Sequence, residues 1–206
     1  MVASKLYKPP RALLTPQQYL EQERQSDTRH EYALGIVTAM AGASWEHNQI
    51  TGNLQGELYS ALKGSPCVAT SADLRVRVAA CDRYYYPDLT VVCGTPQFED
   101  SHSDTLLNPI LIIEVLSATT ETTDRGEKLH CYQTLPSLDT YLLVSQDQPL
   151  VESYQRLDFG WRYTLVRGLD GVVAMDAIGC TLALRDIYDR LAFASFDSKS
   201  ETGDSD

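Results

Sequence analysis

The sequence predicts one domain of mixed α/β (α+β) class, and three observations predict it. Short runs rich in β-branched and aromatic residues recur between Gly, Pro and Asn breaks from residue 29 to residue 184. Two capped helical stripes interrupt them early, one opening at Thr15 and one at Ser44. Late in the chain three such runs follow one another across short turns, the pattern of an antiparallel meander. No repeat or linker divides the 206 residues. The domain is therefore expected over 15–192, with an N-terminal extension at 1–14 and an acidic tail at 193–206 that reads as disordered.

Taken in order, Thr15 is the N-cap of a first helix with Pro16 as its first residue. Residues 29–42 read as two short strands turning near Gly35. Ser44 caps a long helix whose stripe is Ile50, Leu54 and Leu58, and Gly64-Ser-Pro66 stops it. Strands are expected over 67–71, 73–79 and 84–93, a loop over 94–108, and a strand over 110–116. A helix over 124–135 follows, with Asp124 as N-cap and Glu127 completing a capping box. The meander occupies 140–145, 150–156 and 161–167, before a last strand near 181–184 and a short helix over 185–191.

Two of these strands each carry a single carboxylate in an apolar run: Asp88 in the first and Glu114 in the second. If they pair antiparallel with Cys93 opposite Pro109, Asp88 falls opposite Glu114, and opposed Cβ atoms lie about 4.5–5.5 Å apart. Two buried acids that close repel unless one is protonated or a cation sits between them. Such a pair offers hard oxygen ligands to a divalent metal.

Lys128 stands on the apolar stripe of the next helix with Cys131, Tyr132 and Leu135. There it either runs its stem over apolar surface or meets a carboxylate. Asp88, Glu114 and a nearby lysine form a set suited to phosphodiester hydrolysis, the acids holding Mg²⁺ and the lysine stabilising charge on the phosphate. His47, on the stripe of the long helix, is either a core or capping histidine or, with a site near, a proton shuttle. Glu46, Glu57 and Asp73 are weaker candidates for a third ligand. The cluster Glu99, Asp100, His102, Asp104 has a metal-ligand composition but reads as a solvated loop.

Several classes are excluded or disfavoured. No Walker loop, G-x-G-x-x-G, G-x-S-x-G or H-E-x-x-H is present. No apolar run reaches the length of a membrane span, and the first residues lack a signal-peptide core, which points to the cytoplasm. The five cysteines are scattered without a C-x-x-C pair, so reduced, buried thiols are expected rather than a zinc site. A net charge of −11 argues against broad electrostatic binding of nucleic acid but leaves room for a metal-assisted nuclease.

Tyr-Pro-Asp88, Glu114-Val-Leu-Ser, Asp124-Arg-Gly-Glu-Lys128 with Tyr132, and Leu135-Pro-Ser-Leu138 together resemble the Uma-type putative restriction endonuclease family. Arg29-His-Glu-Tyr, Met40-Ala-Gly-Ala-Ser44 and His47 through Leu54 are similar too, so the resemblance runs from about Thr15 to Tyr188. It implies a restriction-endonuclease-like PD-(D/E)XK fold, a central mixed β-sheet flanked by helices, here with an additional antiparallel meander. It also implies Mg²⁺-dependent cleavage of DNA, with Mn²⁺ as a substitute, Asp88 and Glu114 as metal ligands, and Lys128 and His47 beside them. The general motif places its lysine two residues after the second acid. That position is Leu116 here, so Lys128 would stand in for it. The alternative is a nuclease fold that no longer cuts and serves as a binding or assembly module. Two active sites addressing two strands would favour a homodimer.

Overall fold

In the computed structural model, residues 13–71 and 73–193 are described. Most of the predicted extension and tail therefore lies outside the described residues. The Thr15 side chain accepts from Gln18 N–H and the Gln18 side chain accepts from Thr15 N–H, a capping box that opens α1 (Pro16–Glu23). The hairpin β1 (His30–Ala33) and β2 (Ile36–Ala39) follows, turning through Leu34 and Gly35, both at positive φ. Ser44 Oγ accepts from His47 N–H at 3.0 Å and starts α2 (Trp45–Leu62).

Next come β3 (Cys67–Ser71), β4 (Arg75–Val78), β5 (Arg83–Tyr85) and β6 (Leu89–Cys93). The single strand expected over 84–93 is thus two strands, and they belong to different sheets. Pro87 accounts for the break, because it has no N–H to give a ladder. The expected loop over 94–108 contains a short strand, β7 (Thr105–Leu106), before β8 (Leu111–Leu116). After the helical segment 121–132, the strands β9 (Thr140–Ser145), β10 (Leu150–Leu157) and β11 (Gly160–Arg167) form the meander. The pair β12 (Val172–Met175) and β13 (Cys180–Ala183) ends the sheet structure, and β12 was not expected.

The central sheet has six strands in the order β11-β10-β9-β8-β6-β3. It is mixed: β8 and β9 run parallel and the other neighbours antiparallel. The meander continues this sheet instead of standing apart from it. A second sheet, β2-β1-β5-β4-β7, has five strands.

Alternation along β8 divides the core. Leu111, Ile113 and Val115 pack with Ile50, Leu54 and Leu58 of α2 on one face. Ile112 and Leu116 face the other way, among Leu129, Tyr132, Val76 and Tyr85. Glu114 shares the parity of Ile112 and Leu116, so it enters the layer between the central sheet, the 121–132 helix and the five-stranded sheet. Each large aliphatic side chain buried this way contributes roughly 1.5–3 kcal/mol.

The expectation of reduced cysteines is corrected. Cys67 and Cys93 are directly opposed on β3 and β6 and form a disulfide. Cys81 and Cys131 form a second one, joining the turn after β4 to the 121–132 helix, and Cys180 is free. Directly opposed strand positions bring the first pair within reach, a neighbourhood that sequence spacing does not reveal.

Candidate active site

The pairing of β6 with β8 sets Leu89 opposite Ile113, Thr90 opposite Ile112 and Val91 opposite Leu111. This is the predicted register, and it puts Asp88 across from Glu114 at the end of the ladder. Pro87 ends the hydrogen bonding there and lets the Asp88 carboxylate turn back on β8. Its Oδ2 accepts from Val115 N–H at 2.6 Å, and its Oδ1 lies 2.9 Å from His47 Nε2. His47 comes from the first turn of α2, where Ser44 caps the helix. Burial alone would lower the imidazole pKa, but the hydrogen bond and charge of Asp88, with Asp124 farther off, raise it above its ordinary value.

Glu114 is 4% exposed. Its Oε1 accepts from Lys128 Nζ at 3.2 Å and from Tyr132 Oη at 3.0 Å. Burial pushes the Glu114 carboxyl well above the usual range against the pull of Lys128, with Asp124, Asp88 and Glu31 adding to the rise. Lys128 is 5% exposed, which removes the reading in which it runs outward over apolar surface. Its ammonium lies 3.0 Å from Glu31 Oε1, 3.2 Å from Glu114 Oε1 and 3.3 Å from Asp124 Oδ1, and 5.3 Å from the Tyr85 ring centroid. Burial opposes its charge, yet the three carboxylates outweigh burial and hold its pKa well above the ordinary lysine value.

The helix that carries Lys128 differs from expectation. It begins at α3 (Glu121–Thr123), passes through a π-turn over Asp124–Lys128 and ends as α4 (Leu129–Tyr132). Asp124 is therefore inside the helix, 1% exposed, and not its N-cap. Single π-turns of this kind are frequent where a helix must aim a functional side chain. The Tyr141 hydroxyl donates to the Asp124 carbonyl at 3.2 Å, and Arg83 holds Glu127 at 2.7 Å.

Glu31 and Asp124 were not among the expected site residues. Asp124 looked like a cap, and Glu31 sits in a short strand with no local sign that the five-stranded sheet would fold over Glu114. The weaker candidates lie elsewhere. Glu46 and Glu57 are exposed, and Asp73 is ion-paired with Arg29. Asp100 and Asp104 bind Arg24, and Glu99 accepts from Tyr84 Oη at 2.7 Å. A cavity of about 710 Å³ opens beside these residues, and none of His47, Asp88, Glu114 or Lys128 lines it.

A divalent metal can be tested against these donors. Among the described residues, no three His, Cys, Asp or Glu side chains are arranged to hold an ion by themselves. Glu31 Oε1, Glu114 Oε1 and Asp124 Oδ1 nevertheless share a single ammonium, so one positive charge faces three carboxylates. An excess of buried negative charge on hard oxygen atoms fits Mg²⁺, which is commonly held by one or two carboxylates with water and phosphate completing the shell.

Residues 16–185 match the model of the Uma2 family, described as a putative restriction endonuclease. The chain belongs to this family. Two relatives in Synechocystis sp. are similar over most of their length. The uncharacterized protein sll1609 is 35% identical over 157 residues, 76% of this chain and 89% of its own. The uncharacterized protein slr1290 is 33% identical over 180 residues, 87% and 94%. The fold is shared with the crystal structure of a putative nuclease belonging to DUF820 from Anabaena variabilis. That match has a TM-score of 0.69 and 19% identity, and covers 84% of this chain and 97% of that one. No helix among the described residues is long and apolar enough to cross a membrane.

Proposed function

We propose that this Uma2 protein is a Mg²⁺-dependent endonuclease that hydrolyses DNA phosphodiester bonds, with Mn²⁺ as a substitute for Mg²⁺. The observation that carries the reading is the convergence of Glu31, Glu114 and Asp124 on Lys128, with Asp88 across from Glu114. Asp88 and Glu114 would hold the metal. When bound there, Mg²⁺ supplies Lewis acidity to a phosphoryl oxygen and makes its water more acidic.

The chain's own residues then divide the work. Lys128, kept protonated by three acids, places a fixed positive charge where negative charge grows on phosphate. Val115 N–H fixes one oxygen of Asp88. His47 Nε2 shares a proton with Asp88 Oδ1 and, being partly exposed, can pass it to solvent. The layer between the sheets keeps bulk water from Lys128 and Glu114, where charges interact more strongly than at the surface.

Nicking of supercoiled plasmid with Mg²⁺ or Mn²⁺, run beside Asp88→Ala, tests this reading. Metal-dependent nicking by the parent and none by the variant is expected; equal nicking by both would assign the activity to a contaminant. The second reading is a nuclease fold acting as a binding module, and the net charge of −11 and Leu116 at the usual lysine position favour it. Duplex binding without cleavage under any divalent metal would select it. A homodimer is part of the proposal, and sedimentation at the 22.9 kDa of one chain at micromolar concentration would count against it.

A further inference from the structure

Glu114 Oε1 takes two hydrogen bonds, one from Lys128 and one from Tyr132. These occupy both lone pairs of that oxygen, while Oε2 receives no hydrogen bond from the described residues. The two donors are unequal. Lys128 is shared with Glu31 and Asp124 at similar distances, whereas the Tyr132 hydroxyl is aimed at Glu114 alone. Tyr132 itself cannot shift: it is fully buried, with its ring 5.3 Å from Tyr85 and 5.2 Å from Tyr141 between centroids.

The terminal torsion of a glutamate is soft and roughly two-fold, so a carboxylate held only by a shared ammonium can exchange its two oxygens. We propose that Tyr132 is a positioning residue: it locks Glu114 so that Oε2 alone is offered to a divalent cation, as a single-oxygen donor. Packing does not require the hydroxyl, since phenylalanine would fill the same space between Tyr85 and Tyr141. The inference rests on the reading of Glu114 as a metal ligand, and the test separates the two.

Mn²⁺ is titrated into parent, Tyr132→Phe and Glu114→Gln proteins and free ion is followed by electron paramagnetic resonance. Loss of the phenol should raise the Mn²⁺ dissociation constant about ten-fold, as removal of a group orienting a metal ligand does. Metal-free melting should fall only by the loss of one hydrogen bond to a charged group, and 4-aminophenylalanine at position 132, which keeps a donor, should restore affinity. If the phenylalanine variant does not fold, 4-fluorophenylalanine, similar in size but unable to donate, replaces it. Parental affinity without the donor, beside lost affinity in Glu114→Gln, would overturn the role of Tyr132 and leave Glu114 as ligand. Equal weakening by the amino variant would overturn it in favour of packing. No Mn²⁺ binding by the parent, or full binding by Glu114→Gln, would overturn Glu114 as ligand and Tyr132 with it.

Discussion

Lys128, on the π-turn of the helix, reaches Glu31 on β1 at 3.0 Å while it also holds Glu114 on β8 at 3.2 Å. One ammonium thus ties the five-stranded sheet to the six-stranded sheet. Without it three carboxylates would face one another in a buried layer.

Lys128→Met tests that dependence. It keeps most of the stem's volume and deletes the charge. Denaturant unfolding near pH 8 should show a loss of about 3–5 kcal/mol, the range for breaking a buried ion pair. The acids would then bind protons in the folded state at higher pH than in the unfolded state, so stability should recover as pH falls. Metal-dependent nicking should drop sharply. A methionine variant as stable as the parent at pH 8 would mean that the charge is not needed there.

Arg156 closes the other end of the same helix. Its guanidinium donates to the carbonyls of Leu138, Gln133 and Leu135 at 2.6, 3.0 and 2.7 Å and stacks 4.4 Å from Trp161. Arg156→Met should cost at least about 1.5–3 kcal/mol, the worth of one hydrogen bond to a charged group. Hydrogen exchange should quicken over 129–138, and unchanged exchange would show that the carbonyls find other partners.

The cystines predict a thiol count. Without reductant, the denatured chain should react with an alkylating agent at Cys180 and at no other cysteine. Reduction should lower stability by about 2–4 kcal/mol per bridge, with more from Cys81–Cys131 because it closes the longer loop. Labelling of all five cysteines before reduction would exclude both bridges.

Acid should loosen the corner where Asp104 meets Arg24. The Arg24 hydrogen bonds, with Arg75 beside them, hold the Asp104 carboxyl well below its ordinary 3.8. A depressed folded value contributes stability that is complete above the unfolded pKa and is lost as pH falls through the folded one. The melting temperature should therefore decline below about pH 4, near the free aspartate pKa. Asp104→Asn should melt lower at neutral pH and show a shallower acid slope. Parallel acid slopes for parent and variant would place the sensitivity elsewhere.

Much of this arrangement was legible in the sequence because it is locally encoded. Thr15 and Ser44 announce α1 and α2, and the alternation of β6 and β8 leaves one register that keeps both apolar faces buried. That register brought Asp88 to Glu114. The break at Pro87 was also written in the chain, yet the apolar run around it read as continuous. Glu31, Asp124 and the cystines were not legible for a different reason. Each depends on how one sheet closes over another, and no residue near Glu31 or Cys81 records what will cover it. The Asp-x-x-Glu spacing at 124–127 pointed to a helix start, whereas the chain had entered the helix at Glu121.

The charge cluster gathers residues 31, 88, 114, 124 and 128 from both sheets and the helix between them. No stretch of chain that stops short of Lys128 can contain it, whether a product of interrupted synthesis or of proteolysis. On the ribosome, Asp88 and Glu31 emerge long before the ammonium that joins the two sheets. A half-made chain therefore carries the acids without their assembled setting, and the cluster comes into being only as a late event of maturation.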